Sequence, residues 1–255
     1  MSWYRGKWAL VTGVGRNNMG ESIALALSSK GMHVILVGHT DSKVKAAAKR
    51  VKESGNGEPI WRAFDFSIMS SGGPQSYSGF VEDIKKTVKE IHVLVHAAGF
   101  AREAGFLETD EQLFDTTFAI NLKTPFFLTK ECIQSGWMRE GVIITISSTV
   151  GEPTHGWSGG MVYSMSKAAV TLWGQMLAEV SAPSIRVNTV LPGSIDTPMA
   201  DFLLGEGGKR KMACSVPLRR LGKCDEISSV VLELVANEYL SGTEVRVDGA
   251  RTVGG

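Results

Sequence analysis

Several features that define other classes of protein are scarce in this 255-residue sequence. It has three cysteines, whose odd number and wide spacing form neither a CxxC motif nor a disulfide framework. They are typical of reduced cytoplasmic thiols that pack in the protein rather than bind metal or act as nucleophiles. The sequence also lacks a run of 18 apolar residues and a signal-peptide pattern, so we expect no membrane segment. The three cysteines are Cys132, Cys214 and Cys224.

An excess of charge of one sign is absent as well. The 27 basic and 26 acidic residues leave a net charge of +1, which gives no reason to expect a nucleic-acid partner. Hydrophobic residues make up 43% of the chain, enough for a substantial core. We find no linker, repeat or low-complexity stretch, and we therefore expect one domain spanning residues 1–255.

The dominant pattern is an alternation of short apolar runs with helical stretches. This pattern predicts a parallel sheet with helices on both faces, and right-handed crossovers make it a Rossmann-like, doubly wound α/β fold of about seven strands. Strands are expected at about 8–12, 32–38, 59–64, 91–96, 141–147, 184–191 and 244–247. Helices are expected at about 21–30, 42–53, 79–90, 110–134 (with Pro125 as a possible kink), 163–181 and 225–237, with a loop at 67–78.

A glycine-rich segment, Gly13–Gly20, separates the first strand from the first helix. Small residues there allow the backbone to approach a pyrophosphate, and the helix N-terminus favours the phosphate charge. A tight turn with no ligand is the alternative. Ligands of such sheets bind beyond the carboxyl ends of the strands. The residues that follow the predicted strands therefore share one edge of the sheet: Gly13, His39, Asp65, Ala97, Ser148 and Pro192.

Tyr163 and Lys167 stand four residues apart at the start of a predicted helix. This spacing places both side chains on one helix face. A free tyrosine has a pKa of about 10, and a neighbouring ammonium favours the phenolate. We therefore expect Lys167 to lower the pKa of Tyr163 and to make it a general acid or base near neutral pH.

In order and spacing, a series of motifs resembles the short-chain dehydrogenase/reductase family from about Lys7 to Gly249. The motifs are Thr12-Gly13…Gly20, Asp65, Ala98-Gly99, Asn121, Ser147-Ser148, Tyr163…Lys167, Ile185-Arg-Val-Asn188, Pro192-Gly193…Thr197, Pro217…Gly222 and Val247-Asp-Gly249. The resemblance implies catalytic roles for Tyr163, Lys167, Ser148 and Asn121. Tyr163 would exchange the proton, Lys167 would also bind the nicotinamide ribose, and Ser148 would hold the substrate oxygen.

Two of these assignments have alternatives. Asn121 would place a water in a proton relay behind Lys167, but an Asn can also bend or cap its helix. Ser147 is the rival of Ser148, and the family pattern favours the second serine. The resemblance implies no metal ligands. It does imply a set of cofactor-binding residues: Gly13, Gly15, Arg16, Asn18, Met19, Gly20, His39, Asp65, Phe66, Ala97, Ala98, Gly99, Tyr163, Lys167, Pro192, Gly193, Ile195 and Thr197.

The sequence departs from the family pattern at three places. The glycine turn is one residue longer than usual, and Asn18 stands where the middle glycine would fall, so we expect Asn18 to adopt a positive φ. Ala97 replaces an Asn that braces the backbone, which puts the rigidity of this segment in doubt. An insertion at Glu152–Trp157 brings His155 and Trp157 near the substrate, where each would contact it or only cap the loop.

Charge at the end of the second strand indicates the cofactor. An NAD enzyme needs an acid there, but the sequence has His39, and Asp41 is expected to serve as a helix N-cap. Arg16 in the turn would pair with a phosphate. We therefore predict NADP(H) rather than NAD(H).

The resulting hypothesis is a cytoplasmic, NADP(H)-dependent oxidoreductase that interconverts a small-molecule carbonyl and a secondary alcohol. The alternatives are a reductase of activated alkenes and a catalytically silent nucleotide-binding or scaffolding protein on the same fold. Residues 192–221 are expected to form an apolar lid over the substrate, or else a surface helix, with Gly205–Gly208 as a hinge. The resemblance also implies a homo-oligomer, a tetramer or a dimer.

Overall fold

We analysed a computed structural model that describes residues 3–54, 57–68 and 76–253. The strands are β1 (Trp8–Val11), β2 (His33–Gly38), β3 (Ile60–Ala63), β4 (Val93–His96), β5 (Gly141–Ile146), β6 (Ile185–Pro192) and β7 (Glu244–Val247). The helices are α1 (Met19–Ser29), α2 (Asp41–Ser54), α3 (Tyr77–Lys85), α4 (Glu111–Phe118), α5 (Thr124–Gln134), α6 (Met161–Ser181), α7 (Pro198–Ser215) and α8 (Cys224–Ala236). Parts of the predicted turn after α2 and of the predicted loop at 67–78 lie outside the described residues.

The seven strands form one parallel sheet in the order β3-β2-β1-β4-β5-β6-β7. The order reverses between β1 and β4, because the chain winds outward on one side and then returns to build the other. In sheets of this kind the crevice at the reversal point is the usual ligand site. The prediction of a Rossmann-like, doubly wound sheet is confirmed.

The core lies on both faces of the sheet because successive strand residues point to opposite sides. In β1, Ala9 and Val11 pack in one cluster, together with Ile23 and Leu27 of α1. Leu10, which lies between them in the sequence, packs in the other cluster with Phe80 of α3 and other buried residues. This two-sided burial holds the sheet rigid and fixes the positions of the strand ends.

Two helical predictions need correction. The predicted helix at 79–90 is α3, which begins at Tyr77 and ends at Lys85, and Ser76 caps it by accepting from the Gly79 N–H. The predicted helix at 110–134 is interrupted by a π-turn at Ala119–Lys123 rather than kinked at Pro125. Pro125 lies in the first turn of α5, where its missing N–H costs nothing.

Residues 192–221 form α7 and its flanking turns, and α7 is kinked at Gly205, whose φ is +60° and ψ is 177°. None of the described helices is both long and apolar enough to span a membrane.

Candidate active site

The glycine turn packs directly on the end of β4. Gly13 has a φ of +71°, and a Cβ built on it would lie 2.4 Å from the Ala97 carbonyl oxygen. A Cβ on Gly20 would lie 2.5 Å from the Gly13 carbonyl oxygen. Glycine is therefore required at both positions, and the close approach leaves the turn open towards the edge of the sheet.

The positive φ that we predicted for Asn18 belongs to its neighbour. Asn17 has a φ of +56°, whereas Asn18 is extended, with a φ of −120°, and is the N-cap of α1. The Asn18 side chain accepts from Gly15 N (3.2 Å) and Glu21 N (3.0 Å) and donates to Gly13 O (2.9 Å). Asn18 therefore closes the turn through its side chain, because its amide has both donors and an acceptor.

The segment that follows β4 is braced despite the alanine at position 97. The Thr12 hydroxyl accepts from Ala97 N at 3.2 Å and from Ala98 N at 3.3 Å. Asn121 accepts from Phe100 N at 2.8 Å and donates to Phe100 O at 2.9 Å. Thr12 and Asn121 therefore hold the backbone on both sides of Ala97 without a side-chain amide at this position.

A cavity of about 710 Å³ runs along the strand ends from the glycine turn to Tyr163. Fifteen of the predicted residues line it, and they come from the turn, the ends of β2, β3 and β4, α6 and the start of α7: Gly13, Gly15, Arg16, Asn18, Met19, Gly20, His39, Asp65, Phe66, Ala97, Ala98, Gly99, Tyr163, Lys167 and Thr197.

Five predicted residues are absent from the cavity lining. Pro192 ends β6, a Cβ on Gly193 would lie 2.7 Å from Asp248, and the Ile195 side chain is buried in the core. The prediction that Ile195 lines the cofactor site is therefore not supported by its side chain. Ser148 and Asn121 contact the lining residues Tyr163 and Phe100, respectively.

Several residues that line the cavity were not predicted from the sequence. Lys43 is the most informative, because it adds a further cation to a cavity lining that also contains Arg16 and His39. The signal for it was its place in the first turn of the helix after the second strand. Asp41 was predicted to cap that helix but begins it instead, and the Thr40 carbonyl accepts from Lys43 N and Val44 N at 3.0 Å each. Other missed lining residues include Thr40, Phe64, Ser67, Phe100, Thr116, Ile120, Ile146, Pro198 and Met199.

The cavity wall near His39 is basic. His39 Nε2 lies 3.4 Å from the Asp65 carboxylate. Burial alone would raise the pKa of Asp65, but hydrogen bonds from Ser67 and the His39 charge leave it lowered. Asp41 does not line the cavity. Among the described residues, Asp65 is the one acidic residue that does, and its carboxylate already accepts from Ser67 N at 2.9 Å and from the Ser67 hydroxyl at 2.6 Å.

Tyr163 and Lys167 lie together at the far end of the cavity, in the first two turns of α6. The Lys167 Nζ is 5.6 Å from the centre of the Tyr163 ring and donates to the Ile146 carbonyl at 2.8 Å. The Tyr163 ring keeps some access to the cavity, whereas the lysine is 4% exposed. The spacing of the two residues thus brings them to one place, as predicted.

The expected direction of the Tyr163 shift was wrong for the protein without cofactor. Burial raises the pKa of Tyr163 to about 12, and a hydrogen bond with Ser148 offsets part of this increase. Burial lowers the pKa of Lys167 to about 8. Both changes disfavour the charged form because desolvation outweighs the attraction between the two groups. The sequence gives the spacing of the pair but not its burial.

The two serines after β5 have different partners. The Ser147 hydroxyl donates to the Lys167 carbonyl at 2.9 Å and lies 2.6 Å from the Thr171 hydroxyl, both on α6. The Ser148 side chain instead contacts the Tyr163 phenol and weakly accepts from Val150 N at 3.4 Å. Ser148 is therefore the serine that can present a hydroxyl beside Tyr163.

Asn121 lies in the π-turn behind Gly99 and is 1% exposed. Besides its two bonds to Phe100, it donates to the Ser166 hydroxyl at 2.9 Å. These bonds tie the π-turn to α6 and to the segment after β4. The side chain thus has a structural role, and a relay water would need a partner other than the amide NH2, whose two hydrogens are already bonded to Phe100 O and the Ser166 hydroxyl.

The inserted loop places Trp157 rather than His155 against the candidate acid. The Trp157 ring meets Tyr163 edge-on, with centroids 6.5 Å apart. The His155 Nδ1 lies 2.8 Å from the Thr154 hydroxyl within the loop. Of the two loop residues, Trp157 is therefore the one that packs against the Tyr163 ring.

Comparison with known proteins places this architecture in a family. Residues 13–251 match a family profile described as enoyl-(acyl carrier protein) reductase. A 3-oxoacyl-[acyl-carrier-protein] reductase FabG of Haemophilus influenzae is 33% identical over 250 residues, which cover 96% of this chain and 98% of that protein. An uncharacterised oxidoreductase of Thermotoga maritima is 31% identical, with 98% of both chains covered. The chain is an oxidoreductase of the short-chain dehydrogenase/reductase family.

Solved structures agree with this assignment. A mutant short-chain dehydrogenase/reductase from Serratia marcescens superimposes with a TM-score of 0.86 at 27% identity, covering 98% of this chain and 99% of the other. A protein described as a putative short-chain alcohol dehydrogenase from Sinorhizobium meliloti gives a TM-score of 0.85 at 26% identity, with 98% and 97% covered.

Proposed function

We propose that the protein is an NADP(H)-dependent oxidoreductase that interconverts a ketone and a secondary alcohol, with Tyr163 as the general acid or base. The observation that carries this proposal is that Tyr163 and Lys167 lie side by side on the lining of a cavity that begins at the glycine turn, with Ser148 as the hydroxyl that acts on the pKa of Tyr163. This arrangement supplies two hydroxyl donors and one cation to a single point beyond the strand ends.

Reduction of a carbonyl builds negative charge on its oxygen, and positioned donors stabilise that charge. Ser148 donates a hydrogen bond to the oxygen, and Tyr163 donates a second one and then its proton. When bound, NADP(H) supplies or accepts the hydride. The raised pKa of Tyr163 keeps the phenol protonated at neutral pH, which is the form that reduction requires. Lys167, charged below a pKa of about 8, stabilises the phenolate that remains.

The residues of the cavity fit a dinucleotide that carries a 2′-phosphate. The turn before α1 gives a pyrophosphate a close backbone approach and a helix N-terminus. Arg16 and Lys43 contribute two cations to the cavity lining. Asp41, the first acid after β2 in the sequence, does not line the cavity, whereas the lining Asp65 is already paired with His39 and Ser67. An arginine and a lysine both bind phosphate well. These charges support NADP(H) over NAD(H).

The double variant Arg16→Ala/Lys43→Ala tests the cofactor preference. Each charged contact to phosphate contributes about 1.5–3 kcal/mol, so the dissociation constant for NADPH should rise about 100-fold or more. The dissociation constant for NADH, which lacks the 2′-phosphate, should stay within about threefold. A wild-type protein that binds NADH as tightly as NADPH would contradict the proposal.

The substrate class is suggested by the relatives and by the cavity. The relative from Haemophilus influenzae is described as a 3-oxoacyl reductase, and the family profile as an enoyl reductase. The Tyr163–Lys167 spacing and the Ser148 contact favour the carbonyl over the alkene, because both hydroxyls converge where one oxygen would be held. Phe100, Ile120 and Met199 on the cavity wall favour an apolar substituent.

The decisive experiment supplies NADPH with a 3-oxoacyl thioester, a 2-enoyl thioester or a set of simple ketones and follows NADPH absorbance. We expect turnover of carbonyl substrates only. Replacing Tyr163 with Phe should lower kcat about 100-fold or more, because general acid catalysis contributes 10²–10⁴-fold, while NADPH affinity stays unchanged. Turnover of the enoyl thioester alone would favour alkene reduction. Binding of NADPH without turnover of any substrate would favour the silent alternative.

We further propose a homo-oligomer in which a second copy covers an apolar face of α6. Exposed residues follow one face of this helix at spacings of four and seven: Met161, Met165, Leu172, Met176 and Val180. Exposed Phe126 of α5 contacts Trp173 beside this face. Light scattering should give the mass of a dimer or tetramer, and Leu172→Glu/Met176→Glu should give a monomer. A wild-type monomer would contradict the proposal.

Three smaller assignments complete the proposal. The three free cysteines, at 132, 214 and 224, support a cytoplasmic location. The continuous sheet supports one domain over residues 1–255. Residues 192–221 act as the substrate lid, because Thr197, Pro198 and Met199 line the cavity at the start of α7.

A further inference from the structure

A buried carboxylate lies beneath the glycine turn and has no part in the reaction proposed above. Glu21, in the first turn of α1, is 4% exposed. Its Oε2 accepts from Asn17 N at 2.6 Å. Asn17 is the residue of the turn with a φ of +56°, a conformation that a residue with a Cβ adopts at some cost. The carboxylate therefore bonds to the most unfavourable backbone position of the turn.

The charge of Glu21 is balanced from another element. The Arg50 Nε of α2 donates to Glu21 Oε1 at 2.5 Å, and a terminal nitrogen of the same guanidinium also contacts this oxygen. A buried carboxylate is tolerated when a cation and hydrogen bonds satisfy it, and one that loses its cation is strongly destabilised. Arg50 thus satisfies the Glu21 carboxylate beside a turn that faces phosphate.

The arrangement is a modified capping box. In the usual form, the side chain of the N-cap residue bonds the N–H of the third helical residue, whose side chain returns to the N–H of the N-cap. Here Asn18 accepts from Glu21 N at 3.0 Å, but Glu21 returns to the N–H of Asn17, one residue earlier. The extra residue of the turn is thereby held by the helix it precedes.

We propose that Glu21 is a positioning residue that sets the turn for the cofactor phosphates, with Arg50 as its counter-ion. By fixing Asn17 in the left-handed conformation, Glu21 leaves the N–H groups of Met19 and Gly20, which have no intrahelical acceptor, directed at the pyrophosphate. This inference rests on the proposed binding of NADP(H). It assigns a buried ion pair, rather than a further glycine, to closing the longer turn.

The experiment measures dissociation constants by calorimetry for NADPH and for adenosine 2′-monophosphate, which carries the adenine and the 2′-phosphate but no pyrophosphate. Glu21→Ala should weaken NADPH binding about tenfold or more. The loss for adenosine 2′-monophosphate should be clearly smaller, because Lys43, outside the turn, still binds its phosphate. Glu21→Gln still offers an acceptor to Asn17 N and should stay within about threefold of wild type for NADPH. Glu53→Ala removes a carboxylate from an exposed ion pair on α2 and serves as the charge control.

Amide hydrogen exchange of the peptide covering residues 13–20 gives a second readout without ligand. Exchange at Asn17 should be slow in the wild type and faster in Glu21→Ala. If Glu21→Ala does not fold, Glu21→Asp replaces it, because the shorter side chain keeps the carboxylate but not the reach. NADPH should again lose more affinity than adenosine 2′-monophosphate. Equal NADPH affinity in wild type and variant, or equal losses for both ligands, would overturn the inference. A wild type that binds no NADPH would instead refute the proposed function.

Discussion

The two helices that border the candidate active site, α6 and α7, are held in opposite ways. Six residues of α6 are buried, including Lys167 and Gly174, and the helix packs closely on the sheet. None of α7 is buried, and its kink at Gly205 divides it into two segments. A reaction needs its acid within a fraction of an ångström, whereas a lid needs freedom to move. The proposed catalytic pair, Tyr163 and Lys167, thus lies on the packed helix α6, and the proposed substrate lid is α7, which has no buried residue.

A lysine on each helix shows the same contrast. Lys167 has its pKa lowered to about 8 by burial. The pKa of Lys209 on α7 is instead raised by hydrogen bonds to Asp196 and Asp201, at 2.6 and 2.7 Å. Lys209, in the second segment of α7, thus bonds to Asp201 in the first segment and to Asp196, two residues before the helix, and remains charged. Only the α6 lysine is therefore expected to change charge in the range where the enzyme would be assayed.

The largest expected effect is the pH dependence that Lys167 imposes. The value of kcat/KM for NADPH reports groups of the cofactor-free enzyme. Lys167 is charged below its pKa of about 8 and neutral above it, so kcat/KM should be flat below pH 8 and fall about tenfold per pH unit above it. Tyr163, with a pKa of about 12, stays protonated over this range.

Replacing Lys167 with Arg is the control, because a guanidinium stays charged. The variant should be less active but have a flat profile between pH 7 and 10. If kcat/KM for NADPH still fell above pH 8 in this variant, another group would be responsible for the decline. The difference in titration between Lys167 and Lys209 would then have no support.

A matched pair of substitutions tests the packing of the two helices. A Cβ on Gly174 of α6 would lie 2.7 Å from the Thr189 hydroxyl, which lies 2.7 Å from the Thr145 hydroxyl. A Cβ on Gly207 of α7 would meet nothing within 4 Å. Gly174→Ala should therefore lower the free energy of unfolding by about 1–3 kcal/mol through overpacking. Gly207→Ala should raise it by up to about 1 kcal/mol through helix propensity.

Urea denaturation measures both values. Changes of opposite sign in the free energy of unfolding would support the contrast between a packed helix, α6, and an unpacked one, α7. Equal destabilisation by the two variants would show that α7 is as closely packed as α6. The amino-acid change is the same at both positions, so a difference reports the surroundings and not the residue.

Sequence patterns predicted those parts of the site that depend on local order. Strand ends could be located because apolar runs stop there, and the four-residue spacing placed Tyr163 and Lys167 on one face of α6. The patterns failed where distant contacts decide. Which of two adjacent asparagines takes a positive φ depends on the Glu21 side chain, which accepts from Asn17 N. That side chain is in turn held by Arg50, 29 residues away.

Burial explains the other failures. The phenol and the ammonium of α6 shift away from their charged forms because both are desolvated, a quantity that no pentapeptide contains. Hydrogen bonds between distant residues, rather than burial, account for the helix predicted at 110–134. Its break falls at Asn121 rather than Pro125, because the Asn121 side chain bonds Phe100 and Ser166 across the fold.

The smallest expected effect concerns the kink of α7. Gly205 has a φ of +60° and a ψ of 177°, a conformation that is essentially restricted to glycine and costs other residues about 1–3 kcal/mol. Because α7 buries nothing, Gly205→Ala should relieve this strain by shifting the helix rather than by unfolding the protein. We expect KM for the ketone to rise about threefold to tenfold, with kcat and NADPH affinity nearly unchanged. Gly207→Ala, two residues further along, is the control and should leave KM unaltered. If Gly205→Ala lowers kcat and weakens NADPH binding while KM is constant, α7 supports the catalytic helix and does not act as a lid.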